Sequence, residues 1–138
     1  SIYRIAGSAM NAQTVRLNTV ASNLANIDSA AASAEDVYAA RRPVFAAVYN
    51  NDELTSGAGM GGAHVQVLDV VTTGREPVKR YEPGNPLAGA DGYVFYPALN
   101  QIEEMTDMMS ATRSFETNVE VLNRLKSMQQ SLLRLGEL

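Results

Sequence analysis

Apolar residues recur at helical intervals at both ends of the chain. Near the N-terminus, steps of three and four residues, with Gln13 as the polar interruption, describe one stripe: Tyr3, Ala6, Met10, Leu17, Val20, Leu24 and Ile27. Near the C-terminus, similar steps interrupted by Asn118 and Gln129 describe a second stripe: Met105, Met108, Ala111, Phe115, Leu122, Leu125 and Leu132. Each stripe predicts a long amphipathic helix.

The C-terminal helix carries its own boundary signals. Asn100 is a favourable N-cap residue, Glu103 follows three residues later as in a capping box, and Pro97 disfavours an earlier start. Gly136 is typical of the position just after a helix end. A helix over 101–135 would be roughly 50 Å long at about 1.5 Å per residue.

The middle of the chain has the pattern of strands and turns. Residues 28–36 form a connector of small residues. Two runs rich in β-branched and aromatic residues, Val37–Tyr49 and His64–Thr73, flank a polar, glycine-rich stretch at 50–62. Such a pair of runs predicts a long hairpin.

Shorter elements separate the hairpin from the second helix. Pro83 to Pro86 is a turn-forming run, and Tyr93–Tyr96 has the composition of a short strand. The sequence therefore predicts an α+β fold in three segments. Residues 1–34 hold the N-terminal helix, 35–99 a β-rich insert with the long hairpin, and 100–138 the C-terminal helix.

The two helices need partners for their apolar stripes. One stripe alone seldom outweighs the entropy lost when a helix is ordered. The stripes must therefore pack on each other, as in an ordinary antiparallel helix pair, or on other chains. Polar Gln13, Asn118 and Gln129 would fix the register of that packing, as polar residues do at core positions of coiled coils.

Composition narrows the class of protein. The 138 residues are 46% apolar and 19% charged, enough for one domain with a core, and the formal charge of −4 disfavours nucleic acid as a partner. The chain has no cysteine and no run of about 18 apolar residues that would span a bilayer. Residues 1–7 lack the apolar core of a secretory signal peptide, so we expect none.

Motifs for nucleotide binding or nucleophilic catalysis are weak. Gly57, Gly59 and Gly62 match a dinucleotide-binding pattern, but that pattern requires a preceding strand and a following helix. Here a polar turn precedes it and a strand follows. His64 is the only histidine, and we interpret it as a strand residue that faces solvent.

Three acidic residues cluster near the start of the C-terminal helix. Glu103, Glu104 and Asp107 would complement the helix dipole there, and we interpret them as a solvated face. A catalytic carboxylate pair would also need a cleft and a raised pKa. We therefore expect no catalytic, cofactor-binding or metal-binding residues, and we expect that the protein is not an enzyme.

Several motifs resemble one protein family. Residues 21–26 read ASNLAN, which resembles a motif near the N-terminus of the bacterial flagellar axial proteins of the rod, hook and hook-associated structures. Residues 38–45 (YAARRPVF), 81–88 (YEPGNPLA) and 110–123 (SATRSFETNVEVLN) are similar to the proximal rod members of that family. The signature turn of those members corresponds to Tyr81, Glu82, Pro83, Gly84, Asn85 and Pro86.

This resemblance implies a structural role. Family members pair their terminal helices as a coiled coil that lines an axial channel, so the resemblance implies the same pairing here. They are exported by the flagellar type III apparatus without a cleaved signal, and they polymerise into the periplasm-crossing rod that carries torque to the hook. The implied partners are other proximal and distal rod proteins, the rod-to-MS-ring adaptor, the MS ring and the export apparatus. A helical adaptor or needle-type component of a type III secretion system is the main alternative, and a small hydrolase is the third hypothesis.

The ASNLAN motif is a candidate contact between subunits. Leu24 continues the apolar stripe, and Ala21 allows close approach of another helix. Ser22, Asn23 and Asn26 carry short hydrogen-bonding groups. The alternative is a helix end capped by Asn26 within one subunit. The full set of predicted interface residues is Tyr3, Met10, Leu17, Val20, Ala21, Ser22, Asn23, Leu24, Asn26, Met108, Phe115, Asn118, Val119, Leu122, Asn123, Leu125 and Leu132.

Overall fold

The chain folds as two long helices with a β insert between them, which confirms the predicted α+β class. The computed structural model describes residues 2–49 and 62–137. Its elements are α1 (Ile2–Asn26), a short 3-10 helix (Ala34–Asp36), β1 (Arg41–Tyr49), β2 (Ala63–Thr72), β3 (Val78–Tyr81), β4 (Tyr93–Tyr96) and α2 (Gln101–Gly136). The predicted glycine-rich tip, except its last residue, lies outside the described residues, as do Gly57 and Gly59.

Helices α1 and α2 pack antiparallel. The Tyr3 hydroxyl donates to Gln129 Oε1 at 2.9 Å near one end of the pair, and Asn23 Nδ2 donates to Glu104 Oε2 at 3.2 Å near the other. Because Tyr3 lies opposite Gln129, residues 130–136 of α2 project past the start of α1, by roughly 10 Å at about 1.5 Å per residue.

The predicted stripe of α2 faces α1 over most of its length. Its buried and half-buried positions alternate by steps of four and three, as predicted from Met108 onward: Glu104, Met108, Ala111, Phe115, Asn118, Leu122 and Leu125. The two ends of the stripe differ from the prediction. Met105 is exposed because Glu104 takes the position facing α1, and Leu132 is exposed because it lies beyond the start of α1.

The buried positions of α1 only partly match its predicted stripe. Ala6 and Val20 are buried as predicted, but Ala12, Thr19 and Asn23 are buried too. The reason is that α1 packs on two neighbours. One side contacts α2, and another contacts the hairpin, where Val65 N donates to Ser8 Oγ at 3.0 Å.

The insert consists of two separate two-stranded antiparallel sheets. Strands β1 and β2 form the predicted hairpin, paired from Arg41↔Thr72 to Tyr49↔Ala63 with a bulge between Val44 and Phe45. Strand β1 begins at Arg41, four residues later than predicted. Strand β4 was predicted, but its partner β3 was not, because the charged sequence VKRY has no strand-like alternation.

The start of α2 is capped as predicted, whereas its end is not. Asn100 Oδ1 accepts from Ile102 N at 2.9 Å and from Glu103 N at 3.2 Å. Gly136 is still the last residue of the helix and Glu137 caps it in a right-handed conformation, so the predicted role of Gly136 just beyond the helix end is wrong.

Little of the apolar surface is fully buried. Among the described residues, five of the eight buried apolar positions are alanines: Ala6, Ala12, Val20, Ala31, Ala40, Val94, Tyr96 and Ala111. The chain exposes 9472 Å², against roughly 7,000 Å² for a folded monomer of 14.8 kDa. Within residues 2–49 and 62–137, neither helix has the uninterrupted apolar length that crossing a bilayer requires.

Candidate functional site

The end of α1, the start of β1 and the start of α2 meet at one buried polar cluster, here called the junction (Asn23, Tyr38, Arg41, Arg42 and Glu104). Asn23 is fully buried. Its Nδ2 donates to Arg41 O at 3.0 Å and to Glu104 Oε2 at 3.2 Å. Its Oδ1 accepts from the Tyr38 hydroxyl and from Arg41 N, both at 2.9 Å. One side chain therefore holds three separate segments of the chain.

Glu104 supplies the negative charge of the junction. It is buried, and the half-buried Arg42 guanidinium donates to both of its carboxylate oxygens, at 3.1 Å from Nη1 to Oε2. The hydrogen bond to Glu104 raises the pKa of Arg42 above its ordinary value. The interpretation of Glu104 as part of a solvated face is therefore wrong. Asp107 is also half-buried and bonds Arg16 of α1, with 2.6 Å from Nε to Oδ1.

The polar residues of ASNLAN are hydrogen-bonded within the chain. Ser22 Oγ lies 2.8 Å from the Tyr38 hydroxyl, and Asn26 Nδ2 donates to Ser22 O at 2.8 Å across the last turn of α1. The motif thus closes α1 and anchors the entry to β1. Leu24 is half-buried and Ala21 is exposed. A direct contact of this motif with another subunit stays a prediction.

The other predicted interface residues divide into two groups. The buried or half-buried group lies between packed elements of the chain: Met10, Leu17, Val20, Met108, Phe115, Asn118, Val119, Leu122 and Leu125. The exposed group is Tyr3, Asn123 and Leu132, together with Ala21 of the motif. Of the exposed group, Ala21, Asn123 and Leu132 can contact a neighbour without a change in the helix pair, whereas the Tyr3 hydroxyl already donates to Gln129.

The signature turn (Tyr81, Glu82, Pro83, Gly84, Asn85 and Pro86) connects β3 to the loop before β4. Glu82 Oε2 accepts from the Tyr96 hydroxyl at 2.6 Å and from Asn85 Nδ2 at 3.2 Å. These bonds, the one from Tyr96 most of all, hold the pKa of Glu82 below its ordinary value, and the bond to Glu82 raises the pKa of Tyr96. Asn85 N donates to Glu82 O at 3.0 Å and closes the turn. The residues of the family signature therefore form a turn that is held by hydrogen bonds within the chain.

Gly92 completes that turn from the opposite side. Its φ is +80°, in the left-handed region, and its carbonyl accepts from Glu82 N at 2.9 Å. A Cβ at this position would lie 2.7 Å from Tyr81 Cε2. The side chain is therefore excluded both by backbone strain and by the tyrosine ring.

We expect Gly92→Ala to lower the free energy of unfolding by about 2 kcal/mol, because strain at positive φ adds to displacement of the Tyr81 ring. Gly84→Ala is the matched control, since a Cβ there meets nothing within 4 Å. Urea unfolding followed by circular dichroism measures both. Equal effects of the two substitutions would contradict this account of Gly92.

We expect Tyr96→Phe to raise the pKa of Glu82 toward its ordinary value of 4.5. A lowered carboxyl pKa stabilises the fold above 4.5, and this stability is lost as pH falls through the lowered value. The variant should therefore lose part of this dependence of folding stability on pH. Carbon-13 NMR titration of the Glu82 carboxyl measures the shift, with Tyr81→Phe as the control on the same sheet. An unchanged pKa of Glu82 in Tyr96→Phe would contradict the conclusion that the hydrogen bond from Tyr96 lowers it.

Chemical groups elsewhere in the described part of the chain are dispersed. Among these residues, no cluster of His, Asp and Glu side chains could hold a metal ion. His64 lies in β2 as predicted, but it is half-buried rather than facing solvent, and its Nδ1 is buried. The best-organised polar cluster is the junction, whose geometry suits the joining of elements.

Comparisons with known proteins agree on one family. Residues 4–32 match a family model described as flagella basal body rod protein, and residues 92–135 match one described as flagellar basal body rod FlgEFG protein C-terminal. The flagellar basal-body rod protein FlgC of Escherichia coli O157:H7 is 46% identical over 99% of this chain and 97% of that protein. The Salmonella typhimurium FlgC is 44% identical over the same shares. For the Bacillus subtilis FlgC, the identity is 35% over 96% of this chain and 95% of that protein. This chain belongs to the FlgC family of flagellar basal-body rod proteins.

Proposed function

We propose that the chain is a subunit of the proximal rod and polymerises through its terminal helices with other rod subunits into a tube. Membership of the rod family makes it a structural component of the flagellar basal body and not an enzyme. We propose in addition how the subunit assembles and that the assembly transmits torque.

The observation that carries the proposal is the large apolar surface left on α2. We call it the outer face: Ile102, Met105, Met109, Val121, Met128, Leu132, Leu133 and Leu135. By helical period, Ile102, Met105 and Met109 point away from α1, and Val121 and Met128 lie on the flank of the helix pair. The remaining members, Leu132, Leu133 and Leu135, lie beyond the start of α1. Leu132, Leu133 and Leu135 are 65%, 71% and 67% exposed. Clusters of exposed large apolar side chains are typical of surfaces that contact another protein.

Burial of the outer face by neighbouring subunits would supply the missing core. Each square ångström of apolar surface removed from water contributes about 25 cal/mol. Tyr3 and Leu132, both in the exposed group, lie at the same end of the helix pair and would share such an interface. Contacts between different surfaces of successive subunits do not close on themselves, so they produce an open helical assembly.

The junction would serve the same assembly indirectly. It ties the hairpin to the helix pair through buried hydrogen bonds and an ion pair, so the insert and helices move together. A subunit built in this way transmits torque between neighbours without bending at that joint. We propose as its partners the other proximal and distal rod proteins, the adaptor at the MS ring, the MS ring and the type III export apparatus.

Deletion of the gene from its host tests the proposal. We expect loss of swimming and, by electron microscopy of isolated basal bodies, membrane rings without a completed rod. A plasmid copy of the gene should restore both. Normal flagella in the deletion strain would contradict the proposed function. They would favour the alternative, a helical adaptor or needle-type component of a type III secretion system.

A further inference from the structure

Three of the six methionines lie on the outer face of α2. Met105, Met109 and Met128 are 51%, 60% and 61% exposed. Met10 and Met108 are half-buried by the packing of the helix pair, and Met60 lies outside the described residues. The thioethers of the free subunit therefore differ sharply in their access to reagents dissolved in water.

We propose that oxidation at Met105, Met109 and Met128 decides whether the free subunit can assemble. The reagents are peroxide or hypochlorous acid. With hydrogen peroxide, a sulfur lone pair attacks one oxygen, and the S–O bond forms as the O–O bond breaks. The proton on the attacked oxygen passes to the departing hydroxide, which leaves as water. Sulfur is oxidised by two electrons to the sulfoxide, and the peroxide is reduced.

The sulfoxide changes the outer face from apolar to polar. A methionine side chain packs as a flexible apolar group, whereas its sulfoxide carries a strong hydrogen-bond acceptor that needs a partner when buried. Ile102 stands one helical turn from Met105, and Leu132 one turn from Met128, so a sulfoxide at either position would place a polar group beside an exposed apolar side chain. This inference rests on the proposed function, because it needs the outer face to be covered in the assembled rod.

Assembly should also protect these sulfurs. A subunit with its outer face covered excludes the oxidant, so only subunits that have not yet assembled are sensitive. Methionine sulfoxide is reduced enzymatically, which makes the effect reversible in a cell that supplies the reductase.

Peptide mass spectrometry of the purified chain treated with hydrogen peroxide tests the oxidation itself. We expect oxidation of Met105, Met109 and Met128 to be about threefold or more faster than that of Met10 and Met108, since exposure sets the rate. Equal rates at all five positions would overturn the proposal.

Basal-body imaging in the deletion strain tests the consequence. The triple Met→Leu variant keeps the outer face apolar and cannot be oxidised at these three positions. We therefore expect its number of rods with peroxide to equal its own number without peroxide, under an exposure that stops the wild-type chain. The triple Met→Gln variant makes the same positions polar, and we expect it to form no rods without any oxidant. Normal rods from Met→Gln would overturn the proposal, whereas failure of the unmodified gene to restore rods would instead overturn the proposed function.

Discussion

Asn23→Ala is expected to destabilise the subunit by about 3 kcal/mol, which corresponds to a fall of about 10 °C in unfolding midpoint for a chain of this size. The substitution removes four hydrogen bonds at once. It also removes the Asn23 partner of the Arg41 backbone amide and carbonyl, of which the carbonyl keeps only the bond from Arg42 Nη1 at 3.2 Å. Loss of a partner costs more for a buried group than for an exposed one. The hairpin then loses its fixed position, and we expect no rods and no swimming from the variant gene.

Asn26→Ala is the control for Asn23→Ala. It lies in the same motif and removes one side-chain bond to the backbone of its own helix, so we expect a change of a few tenths of a kcal/mol and normal swimming. Thermal unfolding by circular dichroism compares both variants with the parent chain. A midpoint for Asn23→Ala within about 2 °C of the parent would contradict the role given to the junction.

Local sequence pattern was sufficient for the elements whose contacts are close in sequence. The α2 stripe from Met108 to Leu125 follows from helical period alone, and the cap at Asn100 needs only its next three residues. The hairpin pairing of β1 and β2 was predicted because both strands carry β-branched residues around one polar connection. In each case the residues that predict the structure lie within one element or within two consecutive elements.

Contacts between residues that are far apart along the chain could not be predicted from the sequence. Glu104 pairs with Arg42, 62 residues earlier, and nothing in its own neighbourhood separates it from the exposed Glu103. The family resemblance drew attention to Asn23 as a candidate contact between subunits but did not indicate its bonds to Tyr38 and Arg41 within the chain. The buried positions of α1 differ from its predicted stripe because α1 also packs on the hairpin. A single apolar stripe indicates one packing partner and does not reveal this second one.

Leu132→Glu combined with Leu135→Glu is expected to abolish rod assembly and leave the subunit folded. Both side chains are largely exposed and lie past the start of α1, so the free chain loses little packing and its unfolding midpoint should change by less than about 2 °C. In the assembled rod, the two carboxylates would be buried without partners, which costs several kcal/mol. Electron microscopy of basal bodies from the deletion strain carrying this gene should show rings without rods.

Ser127→Glu combined with Gln130→Glu is the matched control, because it adds two negative charges to exposed polar positions at the same end of α2. We expect this control to assemble, since its charges do not replace apolar side chains. Failure of both pairs would indicate that charge alone disrupts assembly. Rods of normal length from the Leu132 and Leu135 pair would remove the outer face from the interface and leave Tyr3, Ala21 and Asn123 as the exposed candidates.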